Sequence, residues 1–313
     1  MRRKLAIWLR AIRFKFLAAS AIAVSNGLVL SYGYQSSNFN IFYAALTYIG
    51  IFCLHSSVDL FNDYWDFKRG IDLLTKKTRF SGGTGVLPEG LLTPREIFRA
   101  SILFLILGLS IGIFFVYIKG YLVALILGFA TLSIILYSTK LVNVGLGELF
   151  VGIKGMLIVI GAFYVQTGYI IMEPIIIGLV IGLLSSLVLY INSIPDIKAD
   201  KAKGRKTLAI ILEKYSQLQT LTFVSSLFIS IYSLTFIFYY LIMHNIYPFF
   251  ISLFLIPFAI NVLLKFRMYL FNNKENNTVY EIIMEKTILF SRLYGISIII
   301  GIMTLIIFNI KIK

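Results

Sequence analysis

Cysteine and histidine are close to absent from this chain, and each scarcity closes off a class of chemistry. Its 313 residues hold one cysteine, Cys53, set in an apolar stretch, which excludes an internal disulfide and a cysteine metal cage. Two histidines, His55 and His244, are too few for a histidine-rich metal site. Charge is sparse as well: 14% of residues are charged, against about 25% in soluble domains. What fills the chain instead is apolar, with 59% hydrophobic residues and a mean hydropathy of +0.89. This composition specifies an integral membrane protein. The net charge of +15 does not point to nucleic acid. The basic residues are scattered among apolar runs, as in loops that touch anionic headgroups of a lipid bilayer, and do not form one soluble face.

A membrane span needs roughly 20 apolar residues. Nine stretches qualify: 14–32, 39–62, 97–117, 121–138, 147–168, 172–194, 217–242, 247–266 and 288–309. The third and fourth are separated by Lys119 and Gly120 alone, which predicts a tight helical hairpin. The chain reads as a single all-α domain over 1–313, with nine transmembrane helices. One side carries Arg2, Arg3, Lys4, Arg10, Arg13, Lys15, the loop 62–99, Lys140, and the loops 195–216 and 265–287. The other carries little beyond Lys119, Lys311 and Lys313. The basic side is expected to be cytoplasmic, with the N-terminus inside and the C-terminus outside. Met1 to Lys15 reads as a cytoplasmic flank and not as a cleaved signal peptide.

Aspartate is scarce too, and its placement is the most informative feature of the chain. All six lie in two segments: Asp59, Asp63, Asp66 and Asp72 in one, Asp196 and Asp200 in the other. Both fall where a span runs into a long loop on the basic side, about 63–96 and 195–216. Loops of that length in a compact fold are functional or disordered. These contain helix formers and the stretch Ser81-Gly82-Gly83-Thr84-Gly85, so ordered caps over a cavity are expected. If the helix continues past Asn62, then Asn62 and Asp66 share a face, as do Asp59, Asp63 and Asp66. Asn192, Asp196 and Asp200 repeat at the same spacing. Carboxylates so close repel unless a cation neutralises them, and Asp and Asn oxygens suit a hard ion such as Mg2+. Lys68 and Arg69 in the first segment, and Lys203, Arg205 and Lys206 in the second, place cations for phosphate beside the carboxylates. One such motif alone reads equally well as a solvated helix end; two on the same membrane side do not. Asp59 lies deepest, and either a functional role or a structural pairing with a basic residue is open to it.

These residues resemble the UbiA superfamily of intramembrane prenyltransferases, whose signatures are N-D-x-x-D after the second span and D-x-x-x-D after the sixth. The form here, Asn62-Asp63-x-x-Asp66-x-x-x-Gly70-x-Asp72, is similar to the branch that prenylates 1,4-dihydroxy-2-naphthoate. Gly145-Leu146-Gly147-Glu148, Gly161 to Gly168, and Asp196 to Leu208 match that branch as well. The resemblance implies a nine-helix fold around a central cavity capped by cytoplasmic loops. It implies Mg2+ held by Asn62, Asp66, Asp72, Asn192, Asp196 and Asp200, with Asp66, Asp196 and Asp63 as catalytic residues and Asp63 in a supporting part. It also implies a polyprenyl diphosphate donor met by Lys68, Arg69, Lys140, Lys203, Arg205 and Lys206, and an aromatic acceptor. The chain departs from the branch at Ser193 and Pro195 and in a shortened segment after Tyr137, which bears on the match of Lys140.

The reaction asks for diphosphate neutralised as it leaves, a carbocation captured by an electron-rich ring, and water kept out. Tyr64, Trp65, Tyr137, Tyr164 and Tyr190 are candidates to stabilise the cation with ring faces, although packing accounts for most aromatics in a chain that is 15% aromatic. Glu148 is a candidate for a polar role at the cavity, against a helix-start role. For a naphthoate acceptor, prenylation is accompanied by loss of the carboxylate. Other readings are prenyl transfer to a glycerophosphate lipid precursor, another quinone precursor or a porphyrin, where the third acid stands at position 70, here glycine. A CDP-alcohol phosphotransferase needs its acids in one stretch. A cation transporter needs them at mid-membrane, where only Asp59 tends.

Overall fold

The computed structural model describes residues 2–308 except 73, 75–77, 79, 81, 137–139 and 273–276. Among the described residues every regular element is helical: α1 Arg2–Ala11, α2 Leu17–Tyr34, α3 Ile41–Lys68, α4 Pro94–Lys119, α5 Tyr121–Leu136, α6 Gly147–Thr167 and α7 Met172–Ser193. Two short helices follow, α8 Ile197–Ala202 and α9 Leu208–Glu213, and then α10 Gln217–Ile237, α11 Phe249–Leu253, α12 Ile256–Asn272 and α13 Asn277–Ile307. Eight helical segments among the described residues are long and apolar enough to cross a membrane. The fourth expected span, 121–138, is α5, described over 16 residues, and positions 137 and 138 lie outside the described residues. The protein is therefore an all-helical, multi-pass membrane protein, with eight long candidate spans and the apolar helix α5 among the described residues. Lys311 and Lys313 lie outside the described residues.

The sequence sets the helix ends locally. Thr93 and Glu96 cap each other's backbone N–H groups, and Pro94 takes the first helical position of α4, where no N–H is needed. Asn40 Oδ1 accepts from the Tyr43 N–H at 3.0 Å to open α3. That helix runs to Lys68, six residues past the expected end of its span, and so carries Asn62, Asp63 and Asp66 in helical register. The second segment differs from its expected single helical face. α7 stops at Ser193 and α8 starts at Ile197, so Asn192 and Asp200 belong to different helices. Pro195 is the physical reason: it has no N–H to donate to the carbonyl one turn back, so the helical hydrogen-bond ladder stops there.

α7 is the axis of the main core. It packs on α2, α6, α10 and α13 and buries Ile177, Leu184, Leu187 and Tyr190 among them. α3 packs on α4 and α5, and α2 and α6 join the two groups. Glycines set the closest approaches. A β-carbon at Gly182 would stand 2.4 Å from the carbonyl oxygen of Gly152, so α6 and α7 touch backbone to backbone. Gly182→Ala should therefore destabilise the protein by about 1–3 kcal/mol, since backbone cannot yield as a side chain can. A detergent melting curve matching the wild type would contradict this packing.

Candidate active site

The two acidic segments meet at one end of the bundle. The Arg205 guanidinium lies between them, donating from Nη2 to Asp66 on α3 and from Nη1 to Asp200 on α8, the latter at 3.1 Å. All three side chains are buried. Asn62 Nδ2 donates to the other oxygen of Asp66 at 3.2 Å, one helical turn away. Lys203 closes the same side, its Nζ 3.3 Å from where a β-carbon on Gly70 would stand. The Gly82 N–H donates to Asp196, which ties the loop after the first segment to the second. Asp72 packs against Gly83, whose φ is +70°; a β-carbon there would stand 2.9 Å from Asp72 Oδ1, so the contact needs glycine.

Asp63 has different work. It is buried, accepts from Arg13 Nη2 at 2.7 Å and from the hydroxyl of Thr84. Arg13 is one of two described non-glycine residues with positive φ, at 48°, a left-handed conformation that the buried ion pair holds in place. Arg10 reinforces the same junction, donating to the Thr84 carbonyl at 2.7 Å and to Glu89 at 2.8 Å. α1 lays Ile7, Trp8 and Ala11 on Leu60, Val86, Leu87 and Ile97. The basic N-terminal flank is thus a helix clamped over the site. Sequence reasoning did not single out Arg13 or Thr84; the only signal was an arginine among other arginines.

The other expected residues are spread around this cluster. Lys68, Lys140, Lys203 and Lys206 are exposed at the same end. Lys68 lies over the rings of Tyr64 and Trp65, at 5.7 and 5.3 Å, and Arg69 over Trp65 at 5.9 Å, so both aromatic faces already carry a resident cation. Tyr164 donates to the Lys119 carbonyl at the opposite end of the bundle. Tyr190 is fully buried and packs on Phe223. Tyr137 and Ser81 lie outside the described residues. Glu148 is buried at the start of α6, where its backbone carbonyl accepts from Ser186. Asp59 lies two turns deeper than Asp66, with His55 Nε2 3.6 Å from its Oδ2 and His55 in turn held by Ser20 at 2.7 Å.

Among the described residues no three acid, histidine or cysteine side chains converge into a ready-made metal cage. The cluster nonetheless fits a hard cation that keeps waters and bridges to phosphate. Asn192 Oδ1 and Asp196 Oδ1 are buried oxygens without a hydrogen-bond donor. Burial, with Asp200 second, pushes the Asp196 carboxyl up to about 7. Burial, with Asp63 and Asp66 adding their charge, pushes Asp72 up to about 8. Acids held this far above their usual range gain from a divalent cation more than ordinary surface carboxylates do.

Fold and site together define a polytopic helical membrane protein with a buried carboxylate–guanidinium cluster at one mouth of the bundle. The chain belongs to the UbiA prenyltransferase family, whose model matches residues 19–283. It is 32% identical over 201 residues to 1,4-dihydroxy-2-naphthoate octaprenyltransferase of Bacillus subtilis, a match covering 63% of this chain and 62% of that enzyme. It is 31% identical over 215 residues to the Escherichia coli enzyme of the same name, covering 66% of this chain and 68% of that one. The solved structure of a UbiA homologue from Archaeoglobus fulgidus bound to DMAPP and Mg2+ shares the fold, with a TM-score of 0.57 and 18% identity over 93% of this chain and 98% of that one.

Proposed function

We propose that this chain is an Mg2+-dependent prenyltransferase that moves a prenyl group, within the membrane, from a polyprenyl diphosphate to an aromatic acceptor. The acceptor is 1,4-dihydroxy-2-naphthoate or a related quinone precursor. The observation that carries the proposal is the Arg205 bridge, which reaches Asp66 across 139 residues of sequence and also holds Asp200, in a buried site. Family membership supports the reaction class. The naphthoate acceptor draws support from the two bacterial relatives and from a third acid at Asp72 with glycine at position 70.

Asn62, Asp66, Asp72, Asn192, Asp196 and Asp200 would hold Mg2+, which when bound offsets the charge growing on the diphosphate leaving group. Lys68, Arg69, Lys140, Lys203, Arg205 and Lys206 would bind its oxygens from the same end. Asp63 positions the site: through Arg13 and Thr84 it holds the roof of the bundle to α3 and so keeps water from the reacting carbon. The basic loops share this end, which supports a cytoplasmic entry for the diphosphate. Purified protein given Mg2+, a long prenyl diphosphate and a panel of acceptors should release diphosphate and yield a prenylated naphthalene product by mass spectrometry. No turnover with any quinone precursor would sink the aromatic assignment.

A further inference from the structure

Beneath the acidic cluster, α3, α4, α5 and α6 enclose a cavity walled by apolar side chains such as Leu54, Ile111, Leu127, Phe129 and Ile158. Among its lining residues only Lys154 carries a charge. Lys154 lies in the middle of α6, where a bare ammonium is costly and asks for a counter-ion. Among the described residues it has no hydrogen bond and no carboxylate within 4.0 Å. Asp59 is the acid whose charge reaches it. Asp59 is itself incompletely used. Its Oδ2 is buried without a hydrogen-bond donor, and the 3.6 Å to His55 Nε2 is too long for a hydrogen bond. Arg13, which also reaches Asp59 electrostatically, is committed to Asp63 at 2.7 Å.

The floor of the site therefore presents one unused donor, Lys154, at the rim of an apolar cavity, and one unused buried acceptor, Asp59, whose charge reaches it. We propose that Lys154 and Asp59 are the acceptor-recognition pair: Lys154 Nζ receives the carboxylate of a hydroxyaryl carboxylate, Asp59 Oδ2 accepts from its neighbouring hydroxyl, and the apolar rings fill the cavity. The inference rests on the aromatic acceptor proposed above and names what selects it. A prenyl tail would satisfy the walls but neither polar group, whereas an aromatic ring bearing adjacent carboxylate and hydroxyl satisfies all three. The placement suits the reaction. Asp59 precedes Asp66 by two helical turns, about 10 Å along α3, and the cavity lies deeper still, so the acceptor's rings lie deepest and its polar head faces the diphosphate end.

The test compares 1-hydroxy-2-naphthoate with 1-naphthol, which lacks the carboxylate, as competitive inhibitors of naphthoate prenylation and as ligands in thermal-shift binding. Lys154→Met should weaken 1-hydroxy-2-naphthoate at least tenfold and raise the KM for the naphthoate acceptor to match. 1-Naphthol and the KM for the prenyl diphosphate should stay within twofold. Lys154→Arg should recover part of the loss, and Asp59→Asn should weaken both hydroxylated ligands. Equal effects of Lys154→Met on both ligands, or no effect of it on either, overturn the pair. A raised KM for the prenyl diphosphate does the same, since it assigns the cavity to the tail. Each ratio is read within one preparation, so partial unfolding does not mimic it. If the wild type turns over no naphthoate but still separates the two ligands through Lys154, the pair stands and the proposed reaction fails.

Discussion

Asp66→Asn should lower kcat/KM for the prenyl diphosphate by about 10²–10³-fold, the scale on which loss of one charge-stabilising group is felt in an active site. Asp196→Asn should do the same, yet the two variants should part in stability. Asp66 is the partner of a buried guanidinium. Breaking such a pair costs about 3–5 kcal/mol when a charge is left uncompensated, and somewhat less here because Asp200 still holds Arg205. Asp196 has a donor-less buried oxygen and stands beside Asp200, which adds to the burial that raises its carboxyl. Neutralising it removes repulsion, so its melting temperature should equal or exceed that of the wild type. Diphosphate release and detergent melting curves on both proteins decide the matter. Turnover within threefold of wild type in both would remove the carboxylates from the reaction.

Arg205→Met should give the largest loss of stability, about 3–5 kcal/mol, because Asp66 and Asp200 then face each other with no cation between them. The variant should recover on adding Mg2+, and by more than the wild type gains, since the same carboxylates no longer share their charge with a guanidinium. A ligand at 100 times its Kd adds about 2.7 kcal/mol, enough to read as a shift in melting temperature. Arg205→Lys should recover little, because a point charge cannot fork to two carboxylates as a planar guanidinium does. EDTA should abolish every gain. A melting temperature of Arg205→Met that ignores Mg2+ would mean that the acids do not form a divalent site.

Much of this was legible in the sequence because hydropathy and charge are strong signals in lipid. Among the described residues the span pattern returned eight long helices, with α5 described over 16 residues of the remaining span. The acids stood out because so few occur elsewhere. What the sequence concealed was partnership. Arg13 and Arg205 are both arginines in basic surroundings, yet one holds Asp63 and the other joins Asp66 to Asp200. The choice depends on how helices far apart in sequence stack, which periodicity does not encode. Lys154 escaped notice because one cation does not lower a span's mean hydropathy enough to be seen. The break between α7 and α8 was readable at Pro195, where the regular spacing of Asn192, Asp196 and Asp200 suggested a continuous helix and the proline rule contradicted it.

The long-range Arg205 bridge also sets a timetable for the newborn chain. At about 5–20 residues per second, the 139 residues from Asp66 to Arg205 take roughly 7 to 28 s to synthesise. Throughout that interval α3 has reached the membrane with its carboxylate at the interface and its guanidinium not yet made. Asp63 is spared this wait, because Arg13 precedes it from the start. The ribosome thus delivers one acid already neutralised and leaves the other to be kept in water or protonated until α7 has been threaded, so the acidic end of the bundle closes only after α7 is in place.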